Sequence, residues 1–160
     1  MHSRILLTLA VSTLALAACN PFNRGPVTEV RRDLNLNARW TASLVTPAAL
    51  AGAVQMNGSA SMQPAPDAEN TDFRLQVANA TPGGLHPWQV HRGRCDTDYG
   101  VFGRAEDYGT MKIGDDGRGE TGATTGERTP TTGDYFVVVY ASAANASTVV
   151  ACGNLAPPAR

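Results

Sequence analysis

The 160-residue sequence is poor in histidine and lysine, with three histidines and a single lysine, Lys112. It has no run of basic residues, and its formal net charge is −1, so neither a nucleic-acid surface nor an anionic-lipid surface is indicated. No window has the apolar stripe of an amphipathic helix, which excludes a helical bundle. No serine or threonine has a His–acid pair nearby in the sequence, so a hydrolase triad is not indicated either.

The first eighteen residues have the segment order of a secretory signal. Met1–Arg4 is short and basic, Ile5–Leu16 is an almost unbroken apolar run, and Ala17 and Ala18 are small. A run of this length is too short for a permanent transmembrane helix. We therefore predict a cleaved signal over residues 1–18. Its removal takes Arg4 from the 13 basic residues and leaves 12 against 14 acidic ones, a net charge of −2.

Leu16-Ala17-Ala18-Cys19 is similar to the bacterial lipobox. The resemblance implies that Cys19 is acylated and anchors the chain in a lipid bilayer, in the bacterial cell envelope, with the domain in the periplasm or at the outer surface. The alternative is an ordinary signal cleaved after Ala18. We favour lipidation, because an unmodified cysteine here is a reactive liability in an exported protein. Asn20 in place of aspartate implies the outer membrane if the cell has two membranes.

Two further cysteines remain once Cys19 is assigned to lipid. Cys95 and Cys152 are then the only pair in an oxidising compartment. A bond between them would close a loop of nearly sixty residues and contribute roughly 4 kcal/mol in the chain-entropy model.

The rest of the chain is organised as one small domain. We predict a flexible tether over residues 19–37, a domain over 38–156 and a tail over 157–160. Period-two alternation, sixteen glycines, ten prolines and strands every eight to twelve residues predict an all-β antiparallel sandwich or barrel. The turn Asp115-Asp116-Gly117 is a strong hairpin signal. The eight predicted strands are Arg39–Thr46, Ala53–Met62, Asp72–Ala78, Leu85–His91, Thr110–Ile113, Gly119–Thr125, Asp134–Tyr140 and Thr148–Cys152.

Three motifs in order resemble the copper/zinc superoxide dismutase family over roughly residues 39–155. Leu85–His91 (LHPWQVH), followed by Gly93 and Cys95, is similar to that family's strand with an aromatic before His-x-His. Residues 114–117 (GDDG) resemble its hairpin after the metal loop, and residues 151–153 (ACG) its C-terminal Ala-Cys-Gly. The resemblance implies an eight-stranded Greek-key β-sandwich with a Cys95–Cys152 disulfide.

The same resemblance implies that most of the metal ligands are missing. Active members of that family hold copper with four histidines and zinc with three, one of them shared, plus one aspartate. Matched residue by residue, Gln89 replaces the first copper histidine, His91 retains the second, and the late one falls at or near Tyr140. Val149 replaces the arginine that guides the anion, and the loop 95–109 has no histidine.

Coordination chemistry also argues against dismutation. The metal must cycle between Cu(I) and Cu(II), which imidazoles support and amide oxygens do not. Gln89 and His91 share one face of a strand, whereas His86, an odd number of residues away, faces the opposite side. We therefore predict an inactive superoxide dismutase-like domain without a cofactor, acting as a binding or structural module for an envelope protein or small ligand. The alternative is a divergent copper-dependent dismutase or weak redox protein that uses His91.

Gln89, His91 and Tyr140 have two interpretations. They form either a residual site for copper or a small ligand, or a hydrogen-bonded polar cluster that satisfies its own buried groups, and we favour the cluster. For His86, we favour a solvent-facing or loop-packing residue over a ligand.

The long loop 95–109 contains several carboxylates and several aromatic residues, and each of these two sets has two interpretations. Its carboxylates either collect a hard cation such as Ca²⁺ or belong to a solvated loop, which we favour. Its aromatic side chains either form a patch for a partner or cover the end of the sandwich. The carboxylates are Asp96, Asp98, Glu106 and Asp107, and the aromatic residues are Tyr99, Phe102 and Tyr108.

Overall fold

The computed structural model describes residues 39–158, and these are nearly all β. The predicted signal over residues 1–18, the tether over 19–37 and Cys19 lie outside the described residues. No helix of residues 39–158 has the length and apolar character to span a membrane. The strands are β1 (Trp40–Val45), β2 (Asn57–Pro64), β3 (Thr71–Ala78), β4 (Leu85–Arg94), β5 (Thr97–Val101), β6 (Thr110–Lys112), β7 (Gly119–Thr125), β8 (Tyr135–Ser142) and β9 (Asn145–Asn154), with 3₁₀ turns at Ala48–Leu50 and Ala105–Asp107.

The predicted all-β class is confirmed, and each of the eight predicted strands has a counterpart. Several boundaries were wrong: β4 continues to Arg94, β8 to Ser142, and β9 spans Asn145–Asn154. The strand predicted at Ala53–Met62 begins only at Asn57, which pairs with Val45, because a 3₁₀ turn and a further turn occupy residues 48–53. The same strand continues past the predicted end at Met62 to Pro64, which pairs with Thr71 at the end of the β2–β3 ladder. The predicted loop 95–109 contains the additional strand β5.

The strands form a curled antiparallel sheet with Greek-key connections. The order is β5-β4-β8-β9-β1-β2-β3-β7, and β6 pairs with β4 off this path. Strand β4 pairs with β6, β6 contacts β7, and β7 lies beside β3, the strand that precedes β4, which is the Greek-key order. The chain crosses from β3 to β4 and again from β7 to β8. These crossings place β4 beside β8, and this pair carries the candidate site.

The core lies on one side of the curled sheet. Phe73, Leu75 and Val77 are buried while Arg74 and Gln76 are exposed, so the alternation predicted for β3 is confirmed. Strands β4 and β8 contribute to the same core through their own alternate residues. These are Trp88 and Val90 from β4, and Val137 and Val139 from β8.

A second, smaller apolar cluster lies on the outer face of β8 and β9. We call it the outer cluster: Phe136, Val138 and Cys152 are buried, and Tyr140 and Val149 pack against them. Cys152 is disulfide-bonded to Cys95, 57 residues earlier, which confirms the predicted pairing. The disulfide therefore joins β9 to the turn between β4 and β5.

Candidate functional site

The two faces of β4 carry different chemistry, as the alternation predicted. Trp88 and Val90 enter the core, whereas Gln89 and His91 lie on the outer face. His91 is nevertheless 6% exposed, because its ring packs on Phe136 with centroids 5.3 Å apart and β5 lies alongside. An ionisable ring buried outside the core needs partners for both nitrogens.

Asp98 is the partner of His91 Nδ1. Its carboxylate oxygens lie 2.8 and 2.9 Å from that nitrogen. The β4–β5 hairpin brings Asp98 opposite Gly93, and a bulge shifts the register between Gly93 and His91. A side chain at Gly93 would collide with the carbonyl of Thr97, and its φ of +109° favours glycine, so the tight approach of β5 depends on this residue.

On the other side of the ring, Gln89 and Tyr140 approach His91 Nε2. Gln89 Oε1 lies 3.1 Å from that nitrogen, and Tyr140 Oη lies 3.3 Å from it. Tyr140 Oη is also 3.5 Å from Gln89 Oε1. The structure thus brings together the three predicted residues and adds Asp98. We call Gln89, His91, Asp98 and Tyr140 the His91 cluster.

The His91 cluster accommodates two proton arrangements. In the first, a neutral imidazole donates Nδ1–H to Asp98 and accepts the Tyr140 hydroxyl proton at Nε2. In the second, an imidazolium donates from both nitrogens, to Asp98 and to Gln89 Oε1. Each arrangement leaves both ring nitrogens hydrogen-bonded.

Two pKa shifts follow from this packing. Burial alone would raise the pKa of Asp98, but the Gly100 N–H, which donates to it at 2.7 Å, and His91 together lower that pKa. Desolvation raises the pKa of the Tyr140 phenol, and the negative charge of Asp98 raises it further. At neutral pH the site therefore holds a carboxylate beside His91 and a protonated phenol on the other side.

The disulfide fixes the hairpin that supplies Asp98. Cys95 lies in the β4–β5 turn and is bonded to Cys152 of β9. The Cys95 N–H also donates to Asn154 Oδ1 at 2.9 Å. One disulfide and one hydrogen bond to β9 thus hold this turn. Strand β5, which carries Asp98, follows the turn and pairs antiparallel with β4.

His86 supports the site from the opposite face of β4. It is buried, so of the predicted alternatives it is not solvent-facing; its ring lies against Gly84 in the preceding turn. Its Nδ1 is 2.9 Å from the backbone carbonyl oxygen of Tyr140. The regular β4–β8 pairing ends at Val139, and the His86 side chain makes the next link between the two strands.

The residues present do not fit a redox copper centre. His91 is the only imidazole in the His91 cluster, and His86 lies on the other face of the strand. Within residues 39–158, no group of three or more histidine, cysteine, aspartate or glutamate side chains is placed to hold a metal ion. A site that must bind both Cu(I) and Cu(II) needs several nitrogen donors.

The carboxylates of the loop 95–109 do not converge on one point. Asp98 binds His91, Asp107 pairs with Arg104 at 2.6 Å, and Glu106 lies 3.7 Å from the same arginine. Asp96 hydrogen-bonds to the neighbouring Thr97. The arrangement differs from the expected solvated loop at two positions: Asp98 binds His91, which the sequence did not predict, and the Asp107 side chain is only 7% exposed.

The loop aromatics do not form one exposed patch. Phe102 and Tyr108 are buried in the core and contact Phe73, with centroids 6.0 and 5.7 Å away. Only Tyr99 of the three is exposed, at 76%. Phe102 and Tyr108 therefore agree with the second interpretation, in which they cover the end of the sheet. Burial of such large aromatic side chains contributes strongly to stability.

Comparison with known proteins adds no relative: neither the protein-family models nor the curated proteins contain a match to this chain.

Proposed function

We propose that this chain is a lipid-anchored envelope protein with a superoxide dismutase-like domain that serves as a binding or structural module without dismutase activity. The three ordered motifs support the family relationship, and the Greek-key sheet and the Cys95–Cys152 bond are compatible with it. One observation carries the functional part. The single imidazole of the outer face has both nitrogens occupied by side chains of the chain itself.

The physical reason is competition for the ring nitrogens. A metal ion would have to displace Asp98 from Nδ1, or Gln89 and Tyr140 from Nε2, and would gain one imidazole in return. Gln89 and Tyr140 are partly buried and Asp98 is exposed, and each displaced group would lose a hydrogen bond worth about 0.5–1.5 kcal/mol net. The cluster is therefore better described as a self-satisfied polar network that holds β4, β5 and β8 together.

Superoxide turnover tests this proposal. The full chain, loaded with copper and zinc and freed of excess metal, should consume superoxide no faster than the matched buffer. His91→Ala, treated identically, is the control for adventitious surface copper and should give the same rate. Turnover above buffer that depends on His91 would overturn the proposal.

A weak copper site is the second candidate, because one observation favours it. Gln89 Oε1, His91 Nε2 and Tyr140 Oη converge within 3.1–3.5 Å of one another. Copper held there should give a d–d band or an electron paramagnetic resonance signal that disappears in His91→Ala. Equal copper uptake by the two proteins would exclude this site.

Lipid anchoring is tested separately from the chemistry. If Cys19 is acylated, the chain expressed in a bacterial host should incorporate labelled fatty acid and sediment with membranes, whereas Cys19→Ser should do neither. Cys19→Ser that still carries the label would contradict the lipobox interpretation. The outer-membrane location is checked by fractionating the two membranes of the same cells.

A further inference from the structure

The four tyrosines of the chain, all within the described residues, differ in what can accept their protons. Tyr140 Oη lies 3.3 Å from His91 Nε2. The buried Tyr108 hydroxyl instead donates to the backbone carbonyl of Phe102 at 2.6 Å, and a carbonyl is far too weak a base to take the proton. Tyr99 is exposed to water. Tyr135 is half-buried and packs edge-on against Trp40 and Phe102.

This contact matters for one-electron chemistry. Removing only an electron from a phenol leaves a strongly acidic radical cation, so oxidation is much easier when a base takes the proton in the same step. Imidazole is such a base, and Asp98 on Nδ1 stabilises the imidazolium that results. Both groups are already in place around Tyr140, as in a general-base relay.

We propose that Tyr140 is a redox-active tyrosine, with His91 as its proton acceptor, that reacts with one-electron oxidants, the class that includes peroxyl radicals. The Tyr140 O–H bond breaks, its proton forms an N–H bond at His91 Nε2, and its electron passes to the oxidant. A peroxyl radical that receives the electron becomes a hydroperoxide anion and takes a proton from water. The products on the chain are a neutral phenoxyl radical and an imidazolium.

The His91 cluster offers hydrogen-bond partners to His91 both before and after the oxidation of Tyr140. Before oxidation, neutral His91 donates to Asp98 and accepts from Tyr140. After oxidation, the new Nε2–H finds Gln89 Oε1 at 3.1 Å, while Nδ1–H stays on Asp98. The product imidazolium thus has the same two hydrogen bonds as the imidazolium arrangement described above, and it leaves neither ring N–H without an acceptor.

Access also favours Tyr140 among the buried aromatic residues. It is only partly buried on the outer face, at the edge of the outer cluster. Trp40 and Trp88, which are comparably oxidisable, are each 1% exposed and face the core. A bulky oxidant can therefore contact Tyr99 and Tyr140 but neither tryptophan. The inference depends on this geometry alone, and it holds whether or not the chain is lipid-anchored or superoxide dismutase-like.

The test is rapid oxidation of the full chain in detergent by hexachloroiridate(IV), a mild outer-sphere oxidant, with freeze-quench electron paramagnetic resonance. Wild type should show a fast phase with a tyrosyl signal and a solvent deuterium isotope effect. Tyr140→Phe should lose this phase, and Tyr99→Phe should keep it. A fast phase that survives in Tyr140→Phe, or disappears in Tyr99→Phe, would overturn the proposal.

His91→Gln separates the proton acceptor from mere packing. Its amide accepts a hydrogen bond but cannot take a proton, so the fast phase should slow about a hundredfold and lose its isotope effect. Asp98→Asn, which keeps an acceptor on Nδ1 without the charge, should slow it less. Both variants are compared with wild type by circular dichroism and thermal unfolding. An unchanged rate in a folded His91→Gln would refute His91 as the acceptor; should that variant unfold, the Asp98→Asn rate decides, and an unchanged rate there refutes the relay.

Discussion

The inner and outer faces of β4 and β8 are built from the same backbone but by different rules. On the inner face, Val90 and Val139 are fully buried in one continuous apolar core. On the outer face, His91 and Phe136 are almost as well buried and their rings pack together, yet Phe136 belongs to the small outer cluster and His91 to the polar His91 cluster. Burial on the inner face comes from the curl of the sheet. On the outer face it comes from one hairpin and one disulfide.

The difference shows where a fold of this kind can change its chemistry. A polar residue on the inner face would lose its hydrogen bonds to water at a cost of 1–3 kcal/mol or more. The outer face tolerates such residues because the β4–β5 hairpin and β8 supply their partners. Polar substitutions should therefore cost less stability on the outer face than on the inner one.

The largest expected effect comes from removing the disulfide that secures the outer face. Replacing both Cys95 and Cys152 by serine should lower the free energy of unfolding by about 4 kcal/mol, because the unfolded chain regains the entropy of a long loop. Denaturant unfolding of oxidised wild type and the double variant measures this. A loss below about 1 kcal/mol would mean that the hairpin is held without the bond.

A matched pair of valines tests the two faces directly. Val139→Ala on the inner face should cost about 2–3 kcal/mol, and Val138→Ala on the outer face about 1–2 kcal/mol. Val138 borders an open groove that it shares with Phe136 and Val149, so water can fill the space that the lost methyl groups leave. Both values come from denaturant unfolding. Equal losses would show that the outer cluster is packed as rigidly as the core.

Asp98 tests the polar part of the outer face. Asp98→Ala should cost about 1–2 kcal/mol at neutral pH, because His91 and the Gly100 N–H lose a charged partner that is half exposed. Asp96→Ala in the same turn should stay within about 0.5 kcal/mol. Chemical unfolding at pH 7 compares them.

The Asp98 carboxylate also makes the free energy of unfolding depend on pH. Folding lowers the pKa of Asp98, so its stabilising contribution is complete above the pKa of the unfolded state and is lost as the pH falls through the lower, folded-state pKa. The difference in unfolding free energy between wild type and Asp98→Asn should therefore shrink in acid. A difference that grows in acid would have the wrong sign for this contact.

The smallest effects are expected at two tyrosine hydroxyls. Tyr108→Phe should cost about 1 kcal/mol, because the buried Phe102 carbonyl loses its 2.6 Å donor. Tyr140→Phe should cost less than about 1 kcal/mol, since its contacts of 3.3 and 3.5 Å are long. Burial also raises the pKa of Tyr108, so its phenol should ionise only at a higher pH than an ordinary tyrosine in an alkaline absorbance titration. If Tyr140→Phe lost more unfolding free energy than Tyr108→Phe, the hydroxyl on the outer face would contribute more to stability than the hydroxyl in the core, contrary to this expectation.

Much of the inner face was predictable because period-two alternation encodes it. The alternation in β3, the sharing of one face by Gln89 and His91, and the turn at Asp115-Asp116-Gly117 all follow from local sequence. The Cys95–Cys152 disulfide was predictable because only these two cysteines remain once Cys19 is assigned to lipid. These features depend on residues that are close in sequence or few in number.

The partner of His91 was not predictable in the same way. Asp98 lies among aspartates, glycines and tyrosines that favour turns, and the pairing of β5 requires a bulge and a positive φ at Gly93. Phe102 and Tyr108 were ambiguous for a related reason, since only the completed sheet shows which end they cover. The one available signal was His91 itself: a histidine that becomes buried needs a hydrogen-bond acceptor, and a short hairpin after its strand could supply one.

We propose that the outer face holds a hydrogen-bond network whose members satisfy one another, and that it binds no redox metal. The most direct measurement is a crystal structure of the chain grown with one equivalent of copper(II) and examined by anomalous scattering. We predict no ordered copper at His91, with Asp98 on Nδ1 and Gln89 and Tyr140 beside Nε2. A fully occupied ion bound by His91 and at least two further side chains would contradict the account.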